Sequence, residues 1–215
     1  MPIKVTVAGR TDSGVHASGQ VISFVAHDRF PIDRLSIALN TLFPGDLSAR
    51  DAARVDDRFS ARLSALERRY RYVVLNRRDP SALLRRFAHH EHRELDVARM
   101  RAGARHLHGE HDFVSFCGVL PDRGGTVRTI NALDIERDGE RITLSIRGKG
   151  FLHRMVRIIM GTLLDVGAGR SETEDVAEML AACDRRVAGP TAPAAGLTLF
   201  DVIYPGYSSL SRRSD

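Results

Sequence analysis

The string Gly9-Arg10-Thr11-Asp12-Ser13-Gly14-Val15-His16-Ala17 sets an aspartate between two glycines, with an arginine before it and a histidine after it. Asp-x-Gly is common in turns, because aspartate bonds its own backbone and glycine accepts positive φ. A turn does not need the arginine, so the string also fits a loop that presents a carboxylate for nucleophilic chemistry. A further unusual position is Arg157 in Phe151-Leu152-His153-Arg154-Met155-Val156-Arg157, a cation inside an otherwise apolar helical stretch. Such an arginine either snorkels to the surface or is buried against an anion, and Asp12 is a candidate for that anion. The residue types alone leave both questions open.

Other chemistry-bearing groups are less specific. His89, His90 and His92, followed by His106, His108 and His111, make a zinc site conceivable. No HExxH and no paired cysteine motif accompanies them, so they read as polar residues that add to a basic surface. Gly148-Lys149-Gly150 lacks the glycine spacing and the Lys-Ser/Thr pair of a phosphate loop, which argues against a nucleoside triphosphate site. The pairs Arg68-Arg69 and Arg85-Arg86 are candidates for phosphate contacts. A solvated face is the competing reading for Arg85-Arg86.

The bulk composition narrows the partner. Lys and Arg number 32 against 27 Asp and Glu in 215 residues, a net charge of +5, and the isoelectric point is near 9.7. That balance favours an anionic partner such as RNA, DNA or a phosphorylated ligand. Cys117 and Cys183 are far apart and read as free thiols in a reducing compartment. The first residues lack a signal-peptide pattern. The most apolar stretch, Met155 to Val166, is too short to span a bilayer and contains Arg157 and Asp165. A cytoplasmic protein is expected.

The elements that must position these groups follow from periodicity. Alternation predicts strands over Ile3–Ala8, Gln20–Ala26 and Leu66–Asn76, the last placing Tyr70, Tyr72 and Val74 on one face. Helical spacing predicts Pro31–Phe43, a helix capped by Asp96 and running to about Leu107, and a helix from Phe151 to about Val166. Thr129–Arg137 and Arg141–Gly148 read as a hairpin through Asp138-Gly139. Ser171-Glu172-Thr173-Glu174 reads as a capping box, Pro190–Gly196 as a linker, and Leu197–Tyr204 as a last strand. The tail from Ser208 is expected to fray. The mixture points to an α+β fold with a mixed or antiparallel sheet.

Five stretches taken in order, AGRTDSGVHASGQVISF, LNTLFPGDLSAR, FSARLSALERRYRY, GKGFLHRMVRIIMGTLLDVGAG and GLTLFDVIYP, resemble the bacterial tRNA pseudouridine synthase A family across almost the whole chain. The resemblance implies an isomerase without cofactor or metal that converts uridine to pseudouridine at positions 38, 39 and 40 of the tRNA anticodon stem-loop. It implies the pseudouridine synthase fold: two pseudo-symmetric α+β halves, here 1–95 and 96–215, sharing one long sheet around a basic RNA cleft, in a homodimer. It assigns Asp12 as the nucleophile, attacking the sugar C1′ or, in an older proposal, C6 of the base. Arg10 would meet the nucleotide or fill the space of the flipped base. Tyr70 would stack on uracil, Arg157 would pair with Asp12, and Leu199 would wall the pocket. Family members carry a further strand and helix with a YDG…GWQ-type motif before the catalytic loop, so the chain is expected to be short at its start, with a sheet edge left uncovered. A non-catalytic tRNA-binding protein or RNA chaperone that keeps the cleft is the alternative this suggests.

Overall fold

The computed structural model describes residues 3–26 and 31–210. The chain begins with three two-residue strands, β1 (Thr6–Val7), β2 (His16–Ala17) and β3 (Ile22–Ser23), and helix α1 (Ile32–Leu42). Then come β4 (Glu67–Asn76), β5 (His89–Glu91), α2 (Val97–Arg105) and β6 (Gly109–Asp112). The long hairpin β7 (Val127–Asp138) and β8 (Arg141–Gly148) leads into α3 (Met155–Gly167), α4 (Asp175–Ala182), β9 (Leu197–Tyr204) and β10 (Tyr207–Ser208). The architecture is α+β: one eight-stranded mixed sheet and a small β1–β3 pair.

β4 is the centre of the sheet. Its ten residues alternate basic, aromatic and β-branched side chains, a pattern that fits a pleated surface with one buried face. β8 runs antiparallel along one side of it, while β9 pairs with its first half on the other side and β5 lies parallel to its end. The order continues β10-β9-β4-β8-β7-β6, and β2 joins β9 in parallel. Tyr70, Tyr72 and Val74 share the buried face with Ile142, Leu144 and Ile146 of β8 and Leu197 and Leu199 of β9. α3 lies over this face and is apolar nearly all round, as expected of a helix packed on several sides; Met155, Ile158, Ile159 and Leu163 are fully buried or nearly so.

Several boundaries differ from those expected from the sequence. α3 starts at Met155, not Phe151, because Arg154 is left-handed (φ 58°) and breaks the helical path. The first two expected strands shrink to β1 and β3, which pair only with each other. The box expected at Ser171–Glu174 does not form: α4 begins at Asp175 with Glu174 at its N-cap and no side-chain cap bond, and the Glu172 N–H donates instead to the Asp175 carboxylate at 2.8 Å. Ser208 is not frayed; its hydroxyl donates to Asp201 at 2.9 Å, and Ser209 Oγ donates to the same carboxylate at 2.8 Å. Residues 211–215 of the tail lie outside the described residues. Asp96 caps α2 as its sequence predicts, accepting from the N–H groups of Ala98 and Arg99.

α1 forms where Pro31 and the leucine spacing place it, yet none of its residues is buried. Ile37 and Leu42 are 66% and 81% exposed. Among the described residues, no helix is long and apolar enough to cross a membrane.

Candidate active site

Asp12 sits in the loop between β1 and β2, and three sets of bonds shape that loop. Gly9 donates to Gln20 Oε1 at 3.3 Å, and Gln20 Nε2 donates back to the Gly9 carbonyl at 2.7 Å. Val15 N–H closes the turn on the Asp12 carbonyl at 3.1 Å. β2 then pairs with β9 so that Ala17 faces Leu199, whose other neighbour is Tyr70 of β4. One row across the sheet therefore aligns the end of the loop, Leu199 and Tyr70.

Arg157 reaches the loop from the first turn of α3. Its Nη1 donates to Asp12 Oδ2 at 2.6 Å, across 145 residues of sequence. Both side chains are mostly buried, at 14% and 21% exposure, so solvent screens this pair far less than a surface pair. Arg157 does not snorkel. Its Nε donates to the Ala192 carbonyl at 2.8 Å, and Ala192 N–H donates to the Arg157 carbonyl at 3.0 Å. The segment 190–193, expected from sequence to be a plain linker, is thus a strap that fixes the arginine. It lies so close to α3 that a Cβ on Gly161 would stand 1.8 Å from the Pro190 carbonyl oxygen, so only glycine fits there.

His153 completes the surroundings of the carboxylate, with Nε2 3.6 Å from Asp12 Oδ1. Its backbone carbonyl accepts the Gly118 N–H at 2.9 Å, and a Cβ on Gly118 would come within 2.9 Å of the imidazole Nδ1. Sequence reasoning misses this residue because periodicity places His153 inside the helix. The left-handed Arg154 instead turns it back toward Asp12.

Tyr70 is 9% exposed and meets the ring of Phe151 edge-on, with centroids 5.3 Å apart. Its hydroxyl lies close to the backbone of the Asp12 loop: a Cβ on Gly9 would be 3.3 Å from it. Burial pushes the Tyr70 pKa up to about 12; Arg68 pulls it down and Asp12 adds to the rise. The phenol therefore keeps its proton at neutral pH and is a donor there. Leu199 is fully buried behind it. Arg10 is exposed, and the cation bonded to Asp12 is Arg157 rather than this near neighbour.

His16, which has no role on sequence grounds, supports the loop from outside. Its Nε2 lies 2.5 Å from the Arg86 carbonyl and its ring packs 4.8 Å from Phe87. Arg85 and Arg86 are exposed. Arg68 is not available to phosphate: it is 8% exposed and bonded to backbone carbonyls. Three histidines of the two clusters turn to backbone as well, His90 to Arg77, His108 to Asn131 and His111 to His108, while His92 lies 3.7 Å from Glu91. Among the described residues no three His, Cys, Asp or Glu side chains come together as a metal site.

The family profile described as tRNA pseudouridine synthase matches residues 104–205. The tRNA pseudouridine synthase A of Halalkalibacterium halodurans is 47% identical over 197 residues, covering 92% of this chain and 75% of that protein. Its namesake from Bacillus subtilis is 46% identical over 202 residues, covering 94% and 82%. The one from Methylobacterium nodulans is 45% identical over 205 residues, covering 95% and 81%. The chain belongs to the tRNA pseudouridine synthase A family.

Within that family assignment, the profile match covers His153, Arg157 and Leu199, while Asp12 and Tyr70 lie ahead of it. The candidate site is thus assembled from distant parts of the chain: one loop, one central strand, one helix start and one late strand. What the arrangement can do chemically is definite. It holds a carboxylate against a cation, beside an aromatic wall, with one carboxylate oxygen turned away from the arginine.

Proposed function

We propose that the chain isomerises uridine to pseudouridine in tRNA with Asp12 as the nucleophile, and that its targets are positions 38, 39 and 40 of the anticodon stem-loop. The observation that carries this reading is the Asp12–Arg157 pair at 2.6 Å beside Tyr70. A stem nucleotide must leave the stack to be reached, at a cost of a few kcal/mol, and an aromatic partner recovers about 1–3 kcal/mol of it. Tyr70 supplies that partner, with Leu199 as the apolar backing. Arg10, exposed on the same loop, meets the nucleotide or occupies the space the base leaves.

Asp12 Oδ2 is held by Arg157, which leaves Oδ1 to attack. The carboxylate adds to the nucleoside and the bond between N1 and C1′ breaks. The base turns, C5 bonds to C1′, and Asp12 is released. The proton on C5 is lost and N1 gains one, so atoms balance and no redox partner is needed. The adjacent guanidinium holds the carboxylate in one orientation through a charge-assisted hydrogen bond.

The residues come from both 1–95 and 96–215, which supports treating these segments as two halves of one catalytic unit. We further read the protein as a cytoplasmic homodimer; sedimentation equilibrium showing a monomer at micromolar concentration would remove the dimer. The non-catalytic tRNA-binding alternative is not favoured, because a mere binder has no use for a half-buried carboxylate–guanidinium pair.

The test is tritium release from tRNA carrying 5-tritiated uridine. Wild-type protein should release tritium, and Asp12→Asn should lose roughly a thousandfold or more of the rate while tRNA binding persists. Full turnover by Asp12→Asn would sink the nucleophile assignment. Mapping of the product should place pseudouridine at 38, 39 or 40; modification elsewhere overturns the positional assignment alone.

A further inference from the structure

Arg68 is a buried cation held by backbone carbonyls. Its guanidinium has five N–H groups, and the structure gives each an acceptor. Nε and Nη2 both donate to the Ala8 carbonyl, at 3.1 and 2.8 Å. Nη1 donates to the carbonyls of Ala65 at 3.4 Å and Lys149 at 2.5 Å. The remaining Nη2 hydrogen goes to the Arg62 carbonyl at 2.5 Å. Burying a charge is costly unless its hydrogen bonds are fully met. Here the compensation comes from convergent carbonyl dipoles.

The owners of those carbonyls matter. Ala8, itself buried, immediately precedes Gly9 and the Asp12 loop. Lys149 immediately precedes the turn that carries Phe151 and His153. Arg62 and Ala65 belong to the approach to β4, and Arg68 stands on the same buried face of β4 as Tyr70. We propose that Arg68 is a positioning residue for the reaction: its guanidinium clamps the Asp12 loop, the His153 turn and the Tyr70 strand into one frame. It touches no reacting atom. A lysine could hold the charge but has only three donors and no planar fork, so at least two of the five bonds would go.

Arg68 also lies near Tyr70, whose pKa burial raises while Arg68 lowers it and Asp12 adds to the rise. Arg68 itself has its pKa lowered by burial, with Tyr204 and Tyr70 acting against that.

The experiment compares Arg68→Lys with wild type in single-turnover tritium release, tRNA affinity across a salt series, and thermal unfolding. The expected result is a rate at least about tenfold lower per folded molecule, with tRNA affinity within about twofold and an unchanged salt slope. Weaker tRNA binding with a salt slope reduced by about one would mean a phosphate contact and overturn the inference. A lower Tm with an unchanged rate would mean a purely structural role and also overturn it. Arg68→Ala adds another readout: millimolar methylguanidinium, but not methylammonium, should restore part of its rate. If Arg68→Lys is unfolded at assay temperature, Gln20→Ala takes its place. It frees Gly9, next to Ala8, without touching the buried cation, and an unchanged rate there removes the premise that this backbone must be held. The inference rests on the Asp12 reading, and Asp12→Asn run alongside separates the two. Turnover by Asp12→Asn defeats that reading; a silent Asp12→Asn beside a fully active Arg68→Lys defeats only the inference.

Discussion

Asp12 divides its two carboxylate oxygens between unlike partners: Oδ2 to Arg157 at 2.6 Å and Oδ1 toward His153 at 3.6 Å. The shorter contact is a charge-assisted hydrogen bond in a part-buried site, and it fixes which oxygen faces away from the guanidinium. Arg157→Ala should therefore do two things at once. It removes the cation bonded to Asp12 Oδ2, and it frees the carboxylate to rotate. We expect a single-turnover rate reduced by roughly a hundredfold or more, equivalent to about 3 kcal/mol of barrier, in a variant that stays folded. Arg157→Lys should recover only part of it, because one ammonium cannot serve both Asp12 and the Ala192 carbonyl. A folded Arg157→Ala with unchanged turnover would show the pair to be structural only. In the sequence, an arginine in an apolar helix makes Asp12 only a candidate anion, and the family resemblance supplies the pairing. His153 and Arg68 are not legible there. His153 is hidden by a helix boundary that depends on one left-handed residue. Arg68 reads as half of a basic surface pair although alternation puts it on the Tyr70 face, because the carbonyls of Ala8, Arg62, Ala65 and Lys149 that receive it leave no local pattern to read.

At the scale of elements, the site depends on the strap 190–193 lying flat on α3. Gly161 is the contact that allows it, and no sequence cue marks this role, because a glycine within a helix reads only as a weak position. Gly161→Ala would normally favour a helix. Here the new methyl would meet the Pro190 carbonyl, since even the ideal Cβ position is only 1.8 Å from that oxygen. The strap must lift, Ala192 must move, and the Nε bond of Arg157 is lost with it. Overpacking of this kind costs about 1–3 kcal/mol, which for a chain of this size lowers Tm by very roughly 2–12 °C. The informative measurement is turnover well below that Tm. It should fall at least severalfold although no residue of the chemistry has changed, and normal turnover would show that Arg157 holds its place without the strap. The regular elements of this neighbourhood are readable because their period is strong: β4, the β7–β8 hairpin, the Asp96 cap and β9 all stand where alternation and turn chemistry put them. β2 is not, because two residues in parallel with a strand from the far end of the chain leave no local period to read.

At the scale of the whole molecule, a net charge of +5 is modest, and what matters for tRNA is where the excess lies. Many cations are already engaged: Arg68 with carbonyls, Arg157 with Asp12, Arg93 with Glu91 and Arg186 with Asp184. Arg10 is exposed on the Asp12 loop, Arg154 is exposed next to His153, and Arg85 and Arg86 are exposed, with the Arg86 carbonyl on His16. On the proposed reading, we expect these cations to meet tRNA phosphates. Each phosphate neutralised contributes a slope of roughly −0.7 to −0.9 to the dependence of log affinity on log salt. A footprint using about four of them gives a slope near −3, so raising salt from 50 to 200 mM should weaken tRNA binding by roughly fifty- to a hundredfold. Arg154→Ala and Arg85→Ala should each reduce the slope by about one, whereas Arg68→Lys should leave it alone. That contrast separates surface cations that recruit the RNA from the buried cation that holds the site together. A slope left unchanged by Arg154→Ala and Arg85→Ala would place the RNA on some other face, and one reduced by Arg68→Lys would make Arg68 a phosphate contact.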